Sequence, residues 1–369
     1  MKVTSFRELM REQANAAVRV SGAHHSSWNG RFGAPIERQS DLGGTANWDN
    51  SISYNPRHVD ERLQEMFRNA RVHNQDRAEL AGYRDAIRVV LHENVHLLSS
   101  EGREHSQSYN AMATGPGVRP LEEGVTELYS HQVLDDYIDE LGIDQIAPGI
   151  KDVKSPKVYK EFTPAVEGFA DMIGRKSGME RDEVIAAMAV VPADQKFTVA
   201  AAAMYDNSRL PGMIPEDQRE QAIGQIAQAM SSEFGRVAKL PKSADAGTRR
   251  AVGEQAVIEG SRVMSRLRKQ WQMPAPDRQV QRGVGSEQQR AGQPQRGDRS
   301  AQQSRAGVVT PPPAGPAALP PDIAAAARAG LTGSRPLGSA TRLTADQQGS
   351  RRGGVGVPAQ QRQGPETQR

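Results

Sequence analysis

Five residues, His92-Glu93-Asn94-Val95-His96, constrain this chain more than any other segment. They sit inside the run Val89 to Leu98, which is apolar apart from the motif's own His and Glu and Asn94. A helix that is apolar all round is buried all round. Two imidazoles and a carboxylate inside it must be ligated, paired or hydrogen-bonded, because burying them without partners is costly. Residues four apart share a helix face, so both imidazoles can reach one metal ion, with Glu93 beside them to act on a water. His92 and His96 are therefore expected metal ligands, one Zn²⁺ the expected cofactor and Glu93 the expected general base. The other reading of these residues is a core helix whose His side chains bond backbone carbonyls.

The ends of this helix are legible. Asp76 follows Asn74 and Gln75 and suits an N-cap, and Gly102 suits the left-handed C-terminal position. The expected span is Arg77 to about Ser100.

Catalytic zinc needs three protein ligands and one open position. The pattern H-E-x-x-H-x-x-G-x-x-H fails here, because Ser99 stands at its Gly and Gly102 at its third His. A second helix is expected from Leu121 to Leu141, before Gly142. Glu123, Glu127, Ser130, Leu134, Tyr137, Ile138 and Leu141 share one stripe of it. The stripe is apolar at its far end and so faces the core. That turns two carboxylates inward, where a metal beside one and a ligating His beside the other would offset the cost. Glu122 reads as a first-turn acid favoured by the helix dipole.

The two helices together resemble the gluzincin-type zinc metallopeptidases. There, an H-E-x-x-H helix is followed by a second helix carrying a Glu ligand, often directly before Gly. A further acid four residues on commonly bonds a ligating His. The resemblance covers His92 to Leu141 and implies Glu123 as third ligand and Glu127 as the supporting acid. The connection from Gly102 to Pro120 differs in length from the best-known members. Glu122 and Glu127 therefore stay open as alternatives to Glu123, with His105 as the outsider. Zincin folds carry a small sheet whose edge strand lies above the motif helix. Asn47 to Pro56 reads as a turn and a half-buried strand, Ser51, Ser53 and Asn55 alternating with Ile52 and Tyr54 until Pro56 ends it. Ala46 to Tyr54 would then line the cleft and hold an extended peptide. Tyr109, in the connecting loop, and His131 are the candidate donors to a developing oxyanion, His131 being also a candidate supporting group behind Glu127. Tyr129, off the inward stripe, reads as packing. His24 and His25 read as a surface loop, and His58 and His73 as polar-face residues.

Downstream, helical patterns cover Val158 to Arg175, Arg181 to Val191, Ala193 to Tyr205, Glu216 to Ala238 and Ala246 to Trp271. The last is rich in Arg and reads as a solvated face. An amphipathic charged helix begins near the N-terminus. From Met273 the composition collapses to Gln, Arg, Gly, Pro, Ala and Ser, with no Lys, Trp, Tyr or Phe, so disorder is expected over residues 274–369. Within it, Pro321 to Ala329 suits a short docking helix. Thirteen Arg against six acids follow Met273, so that stretch carries +7 and the rest −4 of the net +3. The tail could touch nucleic acid, but its Arg are scattered, which favours plain solvation. The absence of Cys excludes disulfides and thiolate metal sites. No secretory h-region or membrane-spanning run is seen, so a cytoplasmic protein with no membrane partner is expected.

The sequence thus predicts an α+β, mainly α, zincin-like domain over residues 1–273, with a small sheet and a helical C-terminal half. The expected activity is zinc-dependent hydrolysis of a peptide or protein substrate. The rival is a non-catalytic, zincin-derived scaffold or assembly protein acting through its helical half and basic tail.

Overall fold

The computed structural model describes residues 2–99 and 105–272. In chain order the elements are α1 (Phe6–Ser21), β1 (His25–Ser26), β2 (Gly44–Ala46), β3 (Ile52–Tyr54), α2 (Glu61–Asn69), α3 (Arg77–His96) and β4 (Leu98–Ser99). There follow α4 (His105–Thr114), α5 (Val118–Leu141), α6 (Ile143–Ile146), α7 (Thr163–Ser177), α8 (Arg181–Ala189), α9 (Lys196–Asp206), α10 (Arg219–Phe234) and α11 (Ala246–Gln272). The protein is mainly helical with two small antiparallel sheets, β1–β4 and β2–β3, among the described residues.

The motif helix α3 starts where its sequence says. The Asp76 carboxylate accepts from the Ala78 and Glu79 N–H groups at 2.9 and 3.2 Å, satisfying two donors that the helix itself cannot. Almost every residue from Ala86 to Val95 is buried. α1, α2, α5 and β2 pack around it. Asn94, the polar exception in the run, joins three elements. Its amide donates to Gln13 Oε1 of α1 at 3.0 Å, and the same oxygen accepts from the Tyr54 hydroxyl of β3 at 2.5 Å. Two ion pairs set the register of α3 against α5: Arg84 with Asp135 at 2.7 Å and Arg88 with Glu127 at 3.1 Å.

The helix ends at His96, earlier than expected. Leu97 caps it, and Leu98–Ser99 turn into a strand paired with His25–Ser26. Leu97 and Leu98 are both fully buried, so pairing across to β1 keeps them in the core. His25 is accordingly in a strand rather than a surface loop, and the expected ends Ser100 and Gly102 lie outside the described residues. α5 begins three residues before its expected start and stops at Gly142, whose φ is 71°. The inward stripe holds from Glu127 to Leu141.

β2 and β3 form a hairpin with Gly44 opposite Tyr54, Thr45 opposite Ser53 and Ala46 opposite Ile52. The expected half-buried alternation on β3 does not occur: Ile52, Ser53 and Tyr54 are all buried. Arg31 to Gly33 covers the other edge of β3, the Gly33 N–H donating to Ile52 O at 2.9 Å. The Asn47 amide satisfies both the Ser51 and Ser53 hydroxyls, at 2.9 and 3.0 Å. The open edge nearest α3 therefore belongs to β2.

The helical half follows the sequence pattern with trimmed ends. Tyr159 to Phe162 form a turn before α7, and single 3-10 turns precede α9 and α10. Phe169 of α7, Phe197 of α9 and Phe234 of α10 meet edge to face at 5.4–5.8 Å and centre this half. No described helix is long and apolar enough to cross a membrane. The expected disordered tail and the Pro321–Ala329 segment lie outside the described residues.

Candidate metal centre

The four-residue spacing on α3 brings the His92 and His96 rings to 4.9 Å, nearly perpendicular. Glu123, in the second turn of α5, faces both. Its Oε2 lies 3.7 Å from His92 Nε2 and 3.5 Å from His96 Nε2. Ligands about 2.1 Å from a tetrahedral zinc stand about 3.4 Å apart. His92 Nε2 and Glu123 Oε2 are buried without a hydrogen-bond partner. Buried polar atoms are rarely left so. Three ligand atoms converging at ligand spacing fit one ion.

The surrounding charges fit the same ion. Glu93, Glu122 and Glu127 are buried, and Glu123 nearly so. Two buried cations face them, Arg88 and Lys196. With neutral imidazoles the balance is −2, which a divalent cation cancels. Without one, the carboxylates draw protons onto the rings. Burial opposes the protonation of His92 and His96, but Glu123 with Glu127 and Glu122 with Glu123 outweigh it and raise both pKa values. Burial pushes the Glu93 carboxyl above its usual range, against the pull of the two imidazoles, and the Glu123 charge adds to the rise.

Each of the two imidazoles has a carboxylate behind it. Glu127 Oε2 lies 3.4 Å from His92 Nδ1. It is itself held by Arg88, by the Val158 N–H at 2.7 Å and by His131 Nε2 at 3.1 Å. His96 Nδ1 meets Glu122 Oε1 at 2.8 Å, and Glu122 Oε2 stands 3.2 Å from Lys196 Nζ. Lys196 is 1 % exposed and also donates to the Met188 and Val191 carbonyls. Such outer partners fix the tautomer and aim of a ligating ring.

This arrangement corrects the expectations for Glu122 and Tyr109 and favours one of the two readings of His131. Glu122 is not a solvated first-turn acid; the downstream helices cover the start of α5 and turn it into the partner of His96. His131 lies behind Glu127, where it supports that carboxylate and is not aimed at a reacting atom. Tyr109 is on helix α4, not in a loop, and its side chain is 48 % exposed, with no contact to the converging ligands. His105 is the first residue of α4, buried, and does not join the ligand group.

Tyr159 is the residue the sequence reading missed. Its ring stacks on His92 at 5.4 Å and 8°. Burial raises its pKa, and the Glu123 and Glu93 charges raise it further. Its φ is +50°, uncommon for a bulky residue. The neighbouring Val158 N–H bonded to Glu127 holds this turn over the site. The sequence pattern put Tyr159 at the start of the helix expected from Val158, whereas that helix begins at Thr163 and Tyr159 opens the turn before it.

The Glu93 side chain also lies against β2. A Cβ at Gly44 would stand 2.6 Å from Glu93 Cγ, so only glycine allows the strand this close. The Asn55 N–H to Gly43 O and Asn47 N–H to Ser51 O bonds assign residues 43 and 47 to the β3 side. The backbone groups of Gly44 and Ala46 therefore face the open edge, and the Ala46 N–H reaches the Glu93 carboxylate.

Comparison of the chain with protein-family models, with curated proteins and with solved structures gives no match.

Proposed function

We propose that the protein is a zinc metallopeptidase of the gluzincin kind, hydrolysing a peptide bond. The observation that carries the reading is the convergence of His92 Nε2, His96 Nε2 and Glu123 Oε2 at zinc-ligand spacing, in a pocket two positive charges short of neutral. Zinc held there would act as a Lewis acid and bring a water towards neutral pKa. Glu93 accepts the proton of the attacking water and returns it to the leaving amine; its raised pKa suits both halves of that task. The Tyr159 hydroxyl, whose pKa burial raises, donates to the oxyanion. The open edge of β2 takes the peptide as an added strand and sets the scissile carbonyl beside Glu93. Glu122 and Glu127 orient the ligating rings. A purely structural ion would leave Glu93 and the open edge of β2 without a use, which favours catalysis over the scaffold reading.

The test combines two readouts. Elemental mass spectrometry of the purified chain gives one zinc, lost in His92→Ala. Glu93→Gln keeps its zinc and cleaves a degenerate quenched-peptide library about 100-fold more slowly or worse. Cleavage by Glu93→Gln at the wild-type rate overturns the mechanism, and failure to take up zinc overturns the metal site.

A further inference from the structure

The helical half carries a second concentration of chemistry, away from the metal centre. Ile258, Ser261, Arg262, Ser265, Arg266 and Lys269 recur at helical spacing and share one face of α11. They line a surface groove of 500 Å³ together with Lys176, from the last turn of α7. A second groove of 530 Å³ shares Lys176, Ser261 and Ser265 with the first. It adds Arg268 and, from the turn after α9, Asn207, Ser208 and Arg209.

The two grooves are thus continuous. They present six cations, three hydroxyls and no carboxylate among their lining residues. The six cations are exposed. Of these six, only Arg262 has an ion-pair partner among the described residues, Glu259. The nearest turn of chain confirms the selection of sign: Asp206, just before Asn207, is consumed by a two-pronged pair with Arg219 at 2.7 and 2.8 Å. Residues 1–273 carry a net −4, so an acid-free basic groove stands out against its own background.

We propose that this groove is a docking surface for the phosphate backbone of double-stranded nucleic acid. The span from Ile258 to Lys269 is about 16 Å along the helix axis, which matches about five base-pair steps of duplex axis at ~3.4 Å each. Arg, Lys and Ser donors are the groups that grip phosphates without reading sequence. No aromatic ring lines either groove, so there is no platform for stacking unpaired bases, which argues against a single strand. An acidic protein segment would be served by charge alone; the hydroxyls and the Asn207 amide among the cations match phosphate oxygens better.

The experiment is fluorescence anisotropy of a labelled 20-base-pair DNA duplex with the full chain, from 50 to 300 mM salt. The comparison is the triple variant Lys176→Gln, Arg209→Gln, Arg268→Gln. All three positions are exposed, and none is a candidate metal ligand or a hydrogen-bond partner of one, so circular dichroism and zinc content stay unchanged. Arg residues after Met273 are present in both proteins, so the difference reports the groove. The expected result is wild-type binding that is insensitive to duplex sequence, with the log–log salt slope reduced by close to three in the variant. Equal affinity and slope in the two proteins overturns the proposal. So does displacement of the duplex by polyglutamate at equal charge concentration, which would assign the surface to acidic proteins. Tighter binding of a single strand than of the duplex overturns the choice of double-stranded partner.

Discussion

The sharpest chemistry in this protein depends on single side chains in the right company. Tyr159 is one: its hydroxyl donates only if the turn before α7 holds it over His92. Tyr159→Phe keeps the stacking and loses the donor. Zinc content and melting temperature should be unchanged while kcat falls about 10²–10³-fold; an unaltered kcat would remove Tyr159 from the mechanism. Lys196 is a positioning residue at one remove. It stands behind Glu122, which stands behind His96. Lys196→Met strands a buried carboxylate, a change that costs about 3–5 kcal/mol. The variant should show a large drop in urea midpoint and weaker zinc retention against a chelator. The double variant Lys196→Met/Glu122→Gln should recover much of the stability, because no charge is then left unpaired. A single variant as stable as wild type would mean that Glu122 does not need its cation.

At the level of elements, the site is a meeting of three pieces: α3, the first turns of α5, and the hairpin edge β2. Their closeness depends on small residues at the contacts. Gly124 follows Glu123 directly, and a Cβ there would stand 2.5 Å from Val166 Cγ2 of α7. Val166 is stiff and fully buried, so it cannot swing aside. Gly124→Ala should destabilise the protein by about 1–3 kcal/mol through overpacking. Adding Val166→Ala should return part of that loss, giving a coupling visible in a double-mutant cycle of melting curves. Strict additivity would show that α5 and α7 do not press on each other at this point. The hairpin works differently. β3 is paired on both sides and buried, so within this hairpin β2 is the strand that keeps an unpaired edge among the described residues, and it packs on α3.

Two properties belong to the molecule as a whole. The first follows from the proposed metal centre: a zinc held there would bind the folded chain alone and stabilise it by mass action, so chelation should lower the melting temperature. The second is acid sensitivity. His105 is buried at the head of α4, and burial, with the His96 and Lys196 charges, holds its pKa down to about 4 against an ordinary 6.5. The unfolded chain takes up this proton below pH 6.5 while the folded chain resists it until about pH 4. The stability His105 contributes is therefore intact above pH 6.5 and is lost as pH falls through that window, by ~3 kcal/mol at its full extent. Urea midpoints measured at pH 7 and pH 4.5 should fall more for wild type than for His105→Gln. Parallel falls would show that His105 is not held neutral by the fold.

How much of this was legible beforehand follows from the range of each interaction. Local chemistry announced itself in the sequence: the Asp76 cap, the all-apolar motif helix, the inward stripe of α5 ending at Gly142, and the helices of the C-terminal half. Each rests on residues one to four positions apart, and the spacing of His92, Glu93 and His96 is of the same kind. What the sequence could not contain was who covers whom. Glu122 looked solvated because first-turn acids usually are; α9, folded back seventy residues later, buries it and supplies Lys196. Tyr159 looked like the first turn of a helix, and Tyr109 looked like the better donor, because distance in sequence says nothing about distance to a ring on α3. The motif helix looked longer than it is because Leu97 and Leu98 suit a helix as well as a strand, and only β1 decides between them. The sequence by itself determined the helices and the residue types that can hold and use a metal. The tertiary structure alone decided which carboxylates lose their water, which cations answer them and which strand edge stays open, because desolvation is set by packing and not by the order of residues along the chain.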